Sequence, residues 1–199
     1  MKAGFFVGIR LMTPTTTRGT ATIADLYRTE GKAELIGGRI VRYMATGHEP
    51  NRVAGEIFVA LRNYAKSLRK GFAYTDSIGY VVPELSSGRE SFSPDASLYD
   101  GPLPPDKMDF IQGSPNFAVE VRSKSNYGKA AEIEIAAKRA DYFEAGTKVV
   151  WDVDPVNMCI RSYRADSPET AVVFQKGDVA DAEPAVPGWR IDVAELFPD

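Results

Sequence analysis

Asp95, Glu120 and Lys138 are the residues whose types and spacing promise chemistry. Asp95 follows Pro94 in the strand-like segment SFSPDASLYD, and a carboxylate at a strand end is a common ligand for a hard cation. Glu120, 25 residues on (120 − 95), interrupts the apolar run NFAVEV. A central strand covered by helices reads almost wholly apolar, so an ionisable group inside one is costly unless it is paired or bound to a metal. Arg122 stands two residues further, and the strand period of two puts it on the side of Glu120. The residues alone therefore leave a local Glu120–Arg122 ion pair open as the alternative to a metal ligand.

Lys138 belongs to a segment, residues 129 to 145, that reads as helix with Gly146 at its C-terminal end. At about 100° per residue, Ile133, Ala136, Ala140 and Phe143 share one face, and Ala131, Ile135 and Tyr142 the nearly opposite one. Lys138 lies on the second face, with Ile135 and Tyr142 at i−3 and i+4, so its ammonium is expected to reach from a partly buried surface. The alternative is an exposed Glu134–Lys138 rung at i, i+4.

The elements that must position these groups can be read in order. Thr22 followed three residues later by Asp25 resembles a capping box opening a short helix, IADLYRTE, that Gly31 ends. AELI and RIVRYM form a hairpin across Gly37-Gly38, with Glu34 on its first strand. From His48 to Lys70, the spacing of Val53, Ile57, Leu61, Tyr64 and Leu68 marks an amphipathic helix with one face for a sheet. The segments FAYTDSIGYVVP, SFSPDASLYD and NFAVEV read as the central strands, KVVWDVDP as a strongly apolar strand after the 129–145 helix, and MCIRSYR with AVVFQKG as a closing hairpin or meander. Strands on both sides of one crossover helix imply a mixed α/β sheet.

A chain of 199 residues supports one sizeable core. The reading is one domain over residues 21–199, preceded by a mobile tail over residues 1–20 that ends in TPTTTRGT. Arg10 interrupts the apolar opening and no small-residue cleavage pattern follows, so a signal peptide is not expected, and no run reaches the length of a membrane span. The single cysteine, Cys159, makes no internal disulfide and reads as a small core residue of a cytoplasmic protein. A net charge of −3 and a pI near 5.4 exclude a protein that coats nucleic acid by charge alone. Basic residues do gather locally: Arg62, Lys66, Arg69 and Lys70 read as a solvated helix face, while Arg122, Lys124, Lys129, Lys138 and Arg139 surround the candidate site.

Taken in order and spacing, SPDASLYD, PNFAVEVRSKSN, AAKRADYFEAGTKVVWDVDP and PGWRIDVAELF, together with AELIGGRIVRYM and the helix beginning at His48, resemble the Uma-two family of restriction endonucleases, within the PD-(D/E)XK nuclease superfamily. The resemblance covers roughly residues 20 to 198. It implies a restriction-endonuclease-like fold, a mixed central β-sheet flanked by helices. Asp95 matches the aspartate of the PD element and Glu120 the acidic residue of the second element, both as metal ligands. Arg122 stands where the superfamily's lysine lies, and Lys138 matches a lysine displaced onto the following helix. Glu34 matches an acidic position on the first hairpin, either binding a second metal or orienting a neighbouring group. Arg122 and Lys124 depart from the apolar residue and the proline common at their positions. His48 matches a recurrent family position, but one histidine builds no metal site, and capping or packing is the expected role.

The implied chemistry is Mg²⁺ (or Mn²⁺) held by Asp95, Glu120 and a backbone carbonyl, that of Val121, for hydrolysis of nucleic-acid phosphodiesters, DNA before RNA. Lys138, assisted by Arg122, positions the water or offsets phosphate charge; an arginine stays protonated and is a poor base, so Lys138 is the better catalytic candidate. The rivals are a nucleic-acid-binding module that has lost cutting and an interaction module with no nucleic-acid role, because fold alone never proves activity. A homodimer is the expected assembly.

Overall fold

The structure, a computed structural model, describes residues 19–198. Thr22 and Asp25 form the expected capping box at α1 (Ile23–Tyr27), each side chain accepting the other's backbone N–H. The hairpin of β1 (Ala33–Ile36) and β2 (Arg39–Arg42) turns through Gly37 and Gly38, at φ +56° and +67°, the pair of positive angles a two-residue primed turn requires. Of the expected tail, residues 1–18 lie outside the described residues. Gly19 is pinned to the hairpin: its N–H donates to the Gly37 carbonyl at 2.8 Å, and a Cβ on it would collide with the Gly38 carbonyl.

The long helix α2 (His48–Leu68) buries Val53, Ala54, Ile57, Leu61 and Ala65. The last expected core positions shift: Leu68 is exposed and Tyr64 only half-buried, because Ala65 takes the inward position of the final turn. His48 opens the helix exposed, after an N-cap at Gly47 with no side-chain bond, so it neither caps nor packs.

The rest of the chain runs β3 (Phe72–Thr75), β4 (Tyr80–Val81), β5 (Ser91–Phe92), β6 (Ala96–Tyr99), β7 (Ile111–Gln112), β8 (Phe117–Val121), α3 (Lys129–Glu144), β9 (Val149–Asp154), β10 (Cys159–Arg164), β11 (Ser167–Gln175), β12 (Val179–Asp181), β13 (Arg190–Asp192) and α4 (Val193–Leu196). A six-stranded mixed sheet has the order β11-β10-β9-β8-β6-β3, with β8 and β9 parallel across the α3 crossover and the other pairs antiparallel. This is the mixed α/β sheet flanked by helices that the sequence leads one to expect, with β10 and β11 as its closing hairpin.

Two details differ. Of the strands expected at the centre, β3 is an edge, and β4 and β5 leave for a separate three-stranded sheet with β7. Ser77 at φ +73° turns the chain after β3, and Pro94, lacking an N–H, cannot continue a ladder from β5 into β6. One core joins α2 and α4 to Phe117, Val119, Val121, Trp151 and Val153; a second, on the other side of the sheet, gathers Tyr80, Phe92, Ala118, Tyr142 and Val150. Cys159 is buried, as expected of a small core residue. Among the described residues no helix is long and apolar enough to cross a membrane.

Candidate active site

Strand alternation places Glu120 beside Ala118 on the face of β8 that looks toward α3. Its carboxylate accepts from the Tyr142 hydroxyl at 2.7 Å and pairs with Lys138 Nζ at 2.8 Å, both at Oε1. Burial, with Asp95 and Glu34 nearby, pushes the Glu120 carboxyl above its ordinary range, against the opposing pull of Lys138 and Lys32. Asp95 sits just before β6, its N–H donating to the Val119 carbonyl and its Oδ2 accepting from the Val121 N–H at 2.8 Å. The N–H and C=O of a strand residue leave on the same side, so the Val121 carbonyl also faces the Asp95 edge.

Lys138 rises from α3, with Nζ 3.0 Å from Glu34 Oε1 and facing the rings of Tyr43 and Tyr142. The Glu134 rung is not its partner. Burial lowers the ammonium's pKa, but Glu120 and Glu34 outweigh it and hold the group charged, above its ordinary value. Glu34 is fully buried: Tyr43 Oη at 2.6 Å, the Ser93 N–H at 3.0 Å, Arg89 and Lys138 fill both its oxygens. Burial raises its pKa, yet Lys138 and Arg89 bring it down to about 2. An acid so occupied suits orienting Lys138 better than holding a second metal.

Arg122 does not join this group. Its guanidinium is bidentate on Asp152, with Nε at 2.7 Å and Nη2 at 2.6 Å, and also grips Glu132. Asp152 lies opposite Glu120 in the β8–β9 register, so the arginine turns sideways to the next strand rather than back along its own, and the Glu120–Arg122 pair does not form. Arg139 lies over the Tyr163 ring at 3.7 Å. The basic cluster surrounding the site is thus largely engaged within the fold, whereas Arg62, Lys66, Arg69 and Lys70 do form an exposed face.

Sequence reasoning missed Lys32, Asp76, Tyr43, Arg89 and Asp141. Lys32 Nζ bridges Asp95 Oδ1 at 2.6 Å and Asp76 Oδ1 at 2.7 Å; Arg89 links Glu34 to Asp141, with Nε at 2.7 Å from the latter. Lys32 had a signal, since period two puts it on the Glu34 side of β1. Arg89 had none, because it makes only an isolated bridge to Ile36 just after a turn, with no strand period around it. A cavity of about 550 Å³ opens over these groups, lined by Lys32, Tyr43, Asp95, Glu120, Arg122 and Lys138 among others.

The residues present fit a divalent cation by charge and chemistry. Five carboxylates (Glu34, Asp76, Asp95, Glu120, Asp141) face three cations (Lys32, Arg89, Lys138), five minus three leaving two negative charges in excess. Asp95, Glu120 and the Val121 carbonyl offer oxygen only, the donor type of Mg²⁺, which usually keeps several waters and takes few protein ligands. Among the described residues no group of three or more His, Cys, Asp or Glu is placed to hold a metal ion, so two carboxylates and one carbonyl would be the protein's whole share of the ligands.

A sequence model of the Uma2 family, described as putative restriction endonuclease, matches residues 21–194. No curated protein matches the sequence. Among solved structures, a putative nuclease belonging to DUF820 from Anabaena variabilis has the same fold, with TM-score 0.71 and 16% identity over 88% of this chain and 97% of that one.

Proposed function

The chain belongs to the Uma2 family of putative restriction endonucleases, and on that premise we propose that it is a Mg²⁺-dependent endonuclease that hydrolyses phosphodiester bonds in nucleic acid, DNA before RNA. The observation that carries the reading is the convergence of Asp95, Glu120 and Lys138 at one end of β6 and β8, in a pocket whose lining carries more carboxylates than cations. Asp95, Glu120 and the Val121 carbonyl would hold the ion, with Mn²⁺ as a substitute; bound there, it supplies Lewis-acid polarisation of the scissile phosphate and a more acidic water.

The chain's own residues do the rest. Lys138, held charged by two carboxylates, donates hydrogen bonds to the attacking water or a phosphate oxygen and offsets the charge that develops there; so placed, it is not a base. Glu34 fixes that ammonium from behind and Tyr142 fixes Glu120. Arg122 has four of its donor contacts on Asp152 and Glu132, so it adds field at the cleft wall rather than a direct contact. Exposed Arg42 and Lys124 flank the neighbouring groove between the loop after β2 and the loop after β8, where backbone phosphates would run. A cytoplasmic homodimer, presenting one cleft to each strand, is the assembly this reading favours.

One observation favours a second reading, a nucleic-acid-binding module that does not cut: the Lys32 ammonium covers an oxygen of Asp95. Nuclease assays with Mg²⁺ or Mn²⁺ separate the two. Wild type is expected to cleave, and identically prepared Glu120→Gln and Lys138→Ala to lose at least about 10²–10³-fold in rate. Equal activity in all three, or none in any across varied substrates and metals, overturns the nuclease and leaves the binding module.

A further inference from the structure

We propose that Lys32 is the resident cation of the metal site: its ammonium closes Asp95 in the metal-free protein, and a divalent ion must displace it to bind. The inference rests on the metal-dependent reading above.

Asp95 has one oxygen committed to the backbone, since Oδ2 accepts the Val121 N–H at 2.8 Å. The oxygen outside that backbone bond is Oδ1, and Lys32 Nζ holds it at 2.6 Å. A divalent ion bound to that oxygen would stand within a few ångströms of the ammonium, and like charges at such range repel strongly, most of all in a pocket poor in water. The two cations therefore compete for Asp95. Lys138 differs, because it leans on Glu34, which is no part of the oxygen set that would hold the ion, as well as on Glu120.

Lys32 also has somewhere to go. Its second partner, Asp76, is partly exposed and accepts at 2.7 Å, and the Ser77 N–H fixes the Asp76 carboxylate at 2.9 Å. On leaving Asp95 the ammonium stays tethered at Asp76, at the mouth of the cavity, on a flexible stem that presents a compact charge. An incoming phosphate would meet it there. Metal binding and phosphate binding are in this way coupled through one side chain: the metal-free site is spared a further uncompensated charge, and the loaded site presents the substrate with an ammonium held at Asp76.

The test uses the full chain without nucleic acid. In calorimetric titrations with Mn²⁺, Lys32→Met is expected to bind the ion about tenfold or more tightly than wild type, a shift in the range of a single close charge. Lys32→Arg should bind no more tightly than wild type, and Lys66→Met, which removes a remote charge, should match it. A second measurement needs no variant: with ¹³C-labelled lysine, the Lys32 side-chain signal of wild type should shift as diamagnetic Mg²⁺ saturates the site. Equal Mn²⁺ affinity in wild type and Lys32→Met, an equal gain in Lys66→Met, or an unmoved Lys32 signal at saturation overturns the displacement and leaves the metal site standing. Absence of binding in both wild type and Lys32→Met instead overturns the metal-dependent reading, and this inference with it.

Discussion

Strand β8 sends Phe117, Val119 and Val121 to one side of the sheet and Ala118, Glu120 and Arg122 to the other, and the two sides hold together by different physics. On the α2 side the contacts are apolar: Phe117 meets Trp151 edge-on at 5.0 Å and Trp189 at 5.9 Å, with Ile57 and Leu61 fully buried in the same cluster. On the α3 side a thinner apolar layer is interrupted by ion pairs, Glu34–Arg89–Asp141 and Arg122–Asp152 among them. Apolar burial is non-directional and tolerates modest repacking, whereas a buried charge is tolerable only with every partner in place. The charged side therefore contributes position more than stability, which is what the proposed site for an ion and a phosphate would require.

The sharpest way to break that contrast is Phe117→Ala. It removes a fully buried ring from the apolar side, three residues before Glu120 in the same strand, and is expected to cost about 3–5 kcal/mol. Urea unfolding measures it. A loss under about 1 kcal/mol would mean that this side does not carry the fold.

The same contrast explains what can be read without coordinates. Phe117, Val119 and Val121 are legible as core because the period of two is local, and Glu120 is legible because a charge breaks that pattern. Lys138 is legible from its apolar neighbours Ile135 and Tyr142, and it does reach inward. The partners are another matter. Asp152, which takes Arg122, lies on a strand thirty residues away, and only the strand order places it beside β8. Arg89 reaches Glu34 across fifty-five residues from an isolated bridge opposite Ile36, with no strand period around it. Periodicity tells which side chains face inward; sheet order decides which charges meet. The edge position of β3 is hidden for the same reason, since a turn at Ser77 and a proline at 94 redirect the chain without altering the strand-like composition around them.

A milder probe is acid. The Glu34 carboxyl has a folded pKa of about 2 against a usual 4.5, because Lys138 and Arg89 outweigh its burial. A carboxylate depressed in this way stabilises the fold above its unfolded value, and that contribution disappears as pH falls through the folded value. At about 1.4 kcal/mol per unit, Glu34 contributes about 3 kcal/mol near neutrality, lost between pH 4.5 and about 2. Urea titrations of wild type and Glu34→Gln from pH 7 to 2.5 test this. Glu34→Gln should be the less stable at pH 7, and the gap should narrow across that window; a constant gap would refute the assignment.

The smallest expected effect falls at the most conspicuous residue. Glu120 is perturbed in the opposite direction from Glu34: burial, then Asp95 and Glu34, raise its pKa, so the folded state binds its proton more readily than the unfolded state does. Its charge therefore opposes folding above the raised pKa, and the penalty fades as pH falls. Glu120→Gln deletes that charge and keeps the shape. Two terms then compete. The variant gains by losing repulsion from Asp95 and Glu34, and it loses the Lys138 pair at 2.8 Å, although Lys138 keeps Glu34 at 3.0 Å. About a quarter of the Glu120 side chain is exposed, so solvent screens both terms, and the net change should lie within about 1 kcal/mol of wild type, of either sign. Metal affinity should fall all the same, since a neutral amide is a poor ligand for a hard cation. Urea unfolding and a Mn²⁺ titration on the same preparation check the pair of outcomes. A loss of several kcal/mol would place Glu120 among the residues that hold the fold, as Phe117 does, and would erase the distinction between the two sides of β8.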